Sequence, residues 1–244
     1  MSEKTVVKRS LPFPLFVQDD YLEAGALSAI RDWSHMRKTK EPFTQAADYD
    51  AAIYAVGFED GQSLCDVFSD RALERTSDRL GVEINQRDPW RIDAALHVHS
   101  GPSKAGWVHS DLSPGWFREA ERKANIGFSQ MDIYHKPSRP NIDERLARFY
   151  RRIVCILFLA VEEINARDGC LGIYESARQP SAMPSLSIEP KENRLIAFEV
   201  CPYSYHAFRG MKQGRRESLI FWLHDSFSSL ALKGWDESDV TNWR

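Results

Sequence analysis

Five residues in this chain have side chains and spacings suited to chemistry: His109 and Asp111 in WVHSD, His206 in SYHAF, and Arg216 and Ser218 in GRRES. Two imidazoles and one carboxylate can occupy one face of an octahedral divalent ion, leaving three positions open for a chelating cosubstrate and O2. His-x-Asp alone carries little weight, because seven histidines and 35 acidic residues in 244 positions give about one His-x-(Asp/Glu) pair from composition. In an extended chain, however, residues i and i+2 point to one side, about 6–7 Å apart, so both can face one ion.

A third ligand must come from another strand. His206 lies in the segment RLIAFEVCPYSYHAF, which has the apolar run of a buried strand. Downstream, Arg216 and Ser218 precede LIFWL and share one strand face. A guanidinium forks onto a carboxylate, and a serine hydroxyl adds one more donor. His224 is a rival third ligand, but it ends the strand that already carries Arg216 and Ser218, and that strand would then supply both clamp and ligand. Among the other spare histidines, His97 and His99 share a strand face at the metal end; either can serve a ligand or only a structural hydrogen bond.

From about Arg91 to Trp222 the chain resembles the Fe(II)/2-oxoglutarate-dependent oxygenases, most nearly their prolyl-hydroxylase-like branch. The resemblance is carried by ALHVHSGPSKAGWVHSD, RIVCILFLAVEEINARDGCLGIYE and PKENRLIAF, then by His206, Arg216, Ser218 and Trp222. It implies a mainly β fold with flanking α-helices around a double-stranded β-helix, the jelly-roll or cupin-like core. It also implies Fe(II) on His109, Asp111 and His206, with 2-oxoglutarate held by Arg216 and Ser218 and O2 as the second cosubstrate. The implied reaction is hydroxylation of an unactivated C–H bond, giving succinate and CO2. Family halogenases resemble this pattern with a small residue in place of the carboxylate, so Asp111 favours hydroxylation; desaturation and cyclisation use the same oxidant. Three departures bear on the substrate. His99 stands where the family often has a tyrosine, making it a candidate contact to 2-oxoglutarate. The usual Asp-Gly-Gly turn is Asp168, Gly169, Cys170, and residues 112–152 form an insert.

The elements that must position these residues can be read from periodicity. A single domain over 1–244 is expected, with 1–90 as helical and strand support and 91–225 as core. After the LPFPLFV strand, Asp19 or Asp20 can cap a helix with Leu22, Ala26, Ile30 and Trp33 on one face. A second helix carries Leu64, Phe68, Ala72, Thr76 and Leu80 and ends at Gly81. Ile92, Ala94, Leu96 and Val98 alternate along a half-buried strand leading to the metal motif, with Gly101, Pro102 and Gly106 in the turn. The insert reads as helical from Asn141, with Glu144 three residues on and Ile142, Leu146 and Phe149 on one side. Its nine Lys/Arg against five Asp/Glu over 112–152, Arg139 and Arg145 among them, suit a lid for an anionic substrate or simply a solvated face. Trp222 and the other tryptophans read as core.

Composition excludes several other functions. No apolar run approaches 18 residues, and a net charge of −3 without a basic cluster argues against a nucleic-acid partner. The opening MSEKTVVKRSLPFPLFV is a poor secretory signal, and Cys65, Cys155, Cys170 and Cys201 lack Cys-x-x-Cys spacing, so free thiols in the cytoplasm are expected. Neither a Gly-x-Ser-x-Gly elbow nor a glycine-rich phosphate loop occurs. The expected substrate is a small metabolite, an amino acid or natural-product intermediate. A prolyl-type protein hydroxylase is the alternative, and a non-catalytic cupin-like binding protein is the alternative of another class. Oligomeric state is not readable.

Overall fold

The computed structural model describes residues 5–7, 11–40, 43–46, 50–85, 87, 89–118, 126–128, 145–165, 167–231 and 233–235. The first half of the chain supplies β1 (Thr5–Val7), β2 (Leu15–Gln18), α1 (Ala24–Lys40), β3 (Thr44–Ala46), β4 (Ala51–Ala55), α2 (Cys65–Phe68), α3 (Asp70–Leu80) and β5 (Trp90–Ser100). Then follow β6 (Pro114–Arg118), β7 (Ile126–Phe128), β8 (Leu146–Glu162), β9 (Leu171–Ile173), β10 (Leu186–Ile188), β11 (Leu195–Glu199), β12 (His206–Phe208), β13 (Arg215–Asp225) and α4 (Phe227–Ala231). A large sheet runs in the order β1-β2-β11-β8-β13-β5-β4-β3, with β6 on β8 and β7 on β5; a small sheet has the order β10-β9-β12. Neighbours along both sheets are antiparallel, and among the described residues only the β5–β7 pair is parallel.

The period-2 alternation of strand side chains decides which residues meet. On β8, Ile153, Cys155, Leu157 and Leu159 join Leu195, Ala197, Leu219, Phe221 and the helix residues Leu27, Ile30, Trp33, Phe68 and Leu73 in one core. Val154, Ile156 and Phe158 face the other way, into a core with Leu171, Ile173 and Ile188 of the small sheet and with Phe198 and Trp222. The large sheet is therefore covered by helices on one face and by the small sheet on the other, and each fully buried side chain of this size contributes about 1.5–3 kcal/mol.

β5 follows the same rule and corrects one expectation. It is buried on both faces over most of its length. Ile92, Ala94 and Leu96 pack toward the helices, with Val98 partly buried against the same core. That alternation puts Asp93, His97 and His99 on the opposite face, toward the small sheet.

Three helix expectations change. Asp19 and Asp20 do not cap α1: Asp19 pairs with Arg194 at 2.6 Å and Lys191 at 2.8 Å, Asp20 has φ 52°, and the helix begins at Ala24. The single helix over 64–80 is two, broken at extended Ser69, whose hydroxyl accepts from Ala72 N and caps α3. A serine side chain that offers the backbone a bond of its own favours such a break. Gly81 ends α3 in the left-handed conformation, as its position predicts. The helix from Asn141 is not formed where the chain is described. Leu146–Arg152 belong to strand β8, paired with β6 and β13, while Asn141–Glu144 and Arg139 lie outside the described residues. Aromatic residues at 149 and 150 and the apolar run after them suit a buried strand, and pairing on both sides outweighs the local helical spacing. The stretch 112–152 is thus partly sheet, and Arg145 is exposed just before β8.

Candidate metal centre

The two imidazoles are set by backbone pairing. His109 and His206 form an isolated antiparallel bridge, His109 N donating to His206 O at 3.1 Å and His206 N to His109 O at 2.9 Å. Such a mutual pair places both side chains on the same side of the bridge, and the ring centroids lie 4.6 Å apart. Each Nδ1 lies near a carbonyl two residues back: His109 on Trp107 O at 2.9 Å, His206 on Ser204 O at 3.0 Å. A carbonyl only accepts, so each Nδ1 carries the proton and each Nε2 presents a lone pair.

Both Nε2 atoms face Asp111. His109 Nε2 lies 3.5 Å from Asp111 Oδ1 and His206 Nε2 lies 3.4 Å from Asp111 Oδ2. The ligating atoms of the three residues all fall within 4.8 Å of one another, a spacing that can hold a metal ion. Burial alone would raise the Asp111 pKa, but the two histidines hold it well below the usual carboxylate range. For His206, burial works against the charged form, yet Asp111 outweighs it and raises the pKa. Metal-free, Asp111 therefore draws a proton to His206, and a divalent cation would take that proton's place. Asp111 and His206 are buried, whereas the His109 side chain is 23% exposed and marks the open side.

Arg216 and Ser218 lie on the interior face of β13, opposite His99 and His97 of β5. The Arg216 guanidinium is buried over the rings of Phe158 and Phe208, at 5.2 and 4.6 Å, and Nη1 donates to Gly169 O at 2.6 Å. Gly169, with φ +66°, belongs to the Asp168–Cys170 turn, and this fixes the arginine from the small-sheet side. Ser218 is fully buried, and its Oγ has no hydrogen-bond partner among the described residues. A buried hydroxyl left in this state costs about 1–3 kcal/mol unless a ligand satisfies it. The His99 ring lies 4.0 Å from Phe208, next to Arg216. Burial first and the Arg216 charge second push the His97 pKa down to about 3, so His97 is neutral at ordinary pH.

Three residues at the site were not assigned to it by sequence reasoning. Trp222 is buried as expected of a core residue, but its Nε1 also donates to Asp111 Oδ2 at 2.6 Å. Arg151 lies with its guanidinium 4.0 Å from the Trp222 ring and Nη1 3.8 Å from Asp111 Oδ1. Asp93 accepts from Arg151 at 3.3 and 3.4 Å. The signal for Asp93 was present, since it shares the period of His97 and His99; Arg151 had none, because its segment read as helix. His224 stands outside the triad, its Nε2 3.2 Å from Asp93. Cys65 is exposed and the other three cysteines are buried, all four free. Among the described residues no helix is long and apolar enough to cross a membrane.

No model of a protein family matches the sequence, and no curated protein matches it either. Solved structures do resemble it. A prolyl-4-hydroxylase from Pseudomonas putida aligns over 88% of this chain and 94% of its own, with 14% identity and a TM-score of 0.55. HygX from Streptomyces hygroscopicus, solved with nickel and 2-oxoglutarate bound, aligns over 88% and 84% with 14% identity and a TM-score of 0.55. SnoN, a non-heme α-ketoglutarate-dependent epimerase from nogalamycin biosynthesis, aligns over 87% and 78% with 10% identity and a TM-score of 0.56. At these identities the likeness is one of fold. The chain has the jelly-roll fold shared by prolyl hydroxylases and other 2-oxoglutarate-dependent oxygenases.

Proposed function

We propose that this protein is an Fe(II)- and 2-oxoglutarate-dependent dioxygenase that hydroxylates a C–H bond of a small metabolite. The observation that carries the reading is the convergence of His109 Nε2, His206 Nε2 and the Asp111 carboxylate on one point. Beside them Arg216 and the unpartnered Ser218 hydroxyl share one strand face. The donor set fits the group: two imidazoles and one carboxylate suit ferrous iron. Iron, 2-oxoglutarate and O2 together supply an oxidant able to attack an unactivated C–H bond, with succinate and CO2 as coproducts.

The remaining chemistry belongs to the chain. His109, Asp111 and His206 would hold the metal, and the backbone bridge between the histidines fixes the side on which their Nε2 atoms lie. Arg216 and Ser218 take the far carboxylate of 2-oxoglutarate, with His99 alongside. Phe158 and Phe208 exclude water from that pairing and strengthen it. His97, neutral, adds no competing charge. Substrate approaches past His109, the most exposed ligand, where Trp107 is 42% exposed.

Burial of two of the three ligands supports a small substrate, and SnoN, an enzyme of nogalamycin biosynthesis, accompanies that choice among the fold relatives. A prolyl-type protein substrate is the second reading, favoured by the hydroxylase from P. putida. We take the chain as one oxygenase domain, and its free thiols suit a reducing cytoplasm. The test is anaerobic addition of Fe(II) and 2-oxoglutarate to the metal-free protein, read as the weak visible metal-to-ligand charge-transfer band. The band should form and should vanish in His206→Ala. A folded wild-type protein with no band would point to a cupin-like binding protein instead.

A further inference from the structure

Asp93, Arg151, His224 and Trp222 form a buried polar group beside Asp111, apart from the residues proposed to touch iron or 2-oxoglutarate. Arg151 uses one edge of its guanidinium, Nε and Nη2, on Asp93 Oδ2 at 3.4 and 3.3 Å. The same oxygen lies 3.2 Å from His224 Nε2. The guanidinium stacks at 4.0 Å on Trp222, whose N–H holds Asp111 Oδ2. Only Nη1 remains toward Asp111, 3.8 Å from Oδ1. Oδ1 is also the oxygen that faces His109 Nε2 at 3.5 Å.

Arg151 is thus a potential competitor of the metal. Arginine and carboxylate readily form a two-bond fork, and in a buried site that fork would occupy the lone pairs an ion needs. We infer that Asp93 is a positioning residue that holds Arg151 back from Asp111, keeping that carboxylate available to a divalent cation. Trp222 walls the guanidinium on one face. On β6, a Cβ at Gly115 would lie 2.8 Å from His224 Nε2, so glycine at 115 leaves room for the imidazole beside Asp93.

The inference rests on the metal-site reading above, and the test separates the two. Mn(II) alone is titrated into the full-length, metal-free protein, and free Mn(II) is counted by electron paramagnetic resonance; near-UV circular dichroism monitors folding. Asp93→Asn keeps the shape but releases Arg151, and should weaken Mn(II) binding about 10–100-fold. Asp93→Asn with Arg151→Gln should return to within about threefold of wild type, because the competitor is gone. Arg151→Gln alone should bind no more weakly than wild type. Wild-type affinity in Asp93→Asn, or no rescue in the double variant, overturns the inference. Should Asp93→Asn not fold, weaker binding by Arg151→Gln overturns it, since that result makes Arg151 a support of Asp111. A wild-type protein that binds no Mn(II) removes the metal reading and this inference with it.

Discussion

His97→Gln should make the protein less sensitive to acid. His97 is buried opposite Ser218 on the adjacent strand, and its pKa falls from 6.5 in the unfolded chain to about 3 in the folded one. Between those values the unfolded chain binds a proton that the folded protein refuses, so stability falls as pH falls, by about 1.36 kcal/mol per pH unit. From pH 7.5 to 5 the loss is about 2 kcal/mol, the 1.5 units below 6.5 multiplied by that slope. The folded value hardly enters, because it lies well below the window. Asp111, Asp19 and Glu217 have lowered pKa values, so their contributions are lost mainly below pH 5. His206 is raised, so below pH 6.5 it is protonated in both states and adds little slope. Urea unfolding of metal-free wild type and His97→Gln at pH 7.5, 6 and 5 measures the effect. The stability difference between the two proteins should shift by about 2 kcal/mol toward the variant across that range. Parallel pH profiles would refute a neutral His97 beside Arg216.

Other substitutions probe the neighbouring residues. Arg216→Ala should raise the Kd of 2-oxoglutarate by about 10–100-fold by removing charged hydrogen bonds, and Ser218→Ala by about fivefold, both read from titration of the charge-transfer band. Equal, small effects would place the carboxylate elsewhere. Trp222→Phe keeps a ring against Arg151 but deletes the N–H to Asp111, and should weaken Mn(II) binding about tenfold with little change in 2-oxoglutarate affinity. Gly214→Ala should destabilise the fold by more than about 2 kcal/mol in urea unfolding, because φ is +80° and a Cβ there would lie 2.4 Å from Glu162 O. A neutral result would exclude so close an approach.

The residue types, their order and their separations were legible in the sequence. His109, Asp111, His206, Arg216 and Ser218 could be picked out because metal and carboxylate chemistry demand particular side chains, and side-chain identity is what a sequence states. Strand β5, which leads to His109, and strand β13, which carries Arg216 and Ser218, were legible for the same kind of reason, since burial on a pleated surface imposes alternation. Gly81 announced the end of α3 through a conformation that favours glycine. Local cues failed where long-range pairing outweighed them: Leu146 and Phe149 have helical spacing, yet β6 and β13 draw them into β8. Only the tertiary structure decided that His109 and His206 bridge one another, because their backbones meet across nearly half the chain. It alone decided that Trp222, Arg151 and Asp93 gather around Asp111. Those residues look like ordinary core and surface choices one at a time. Their role comes from the sandwich of two sheets, which turns one face of β5, β8 and β13 inward and brings their polar side chains together.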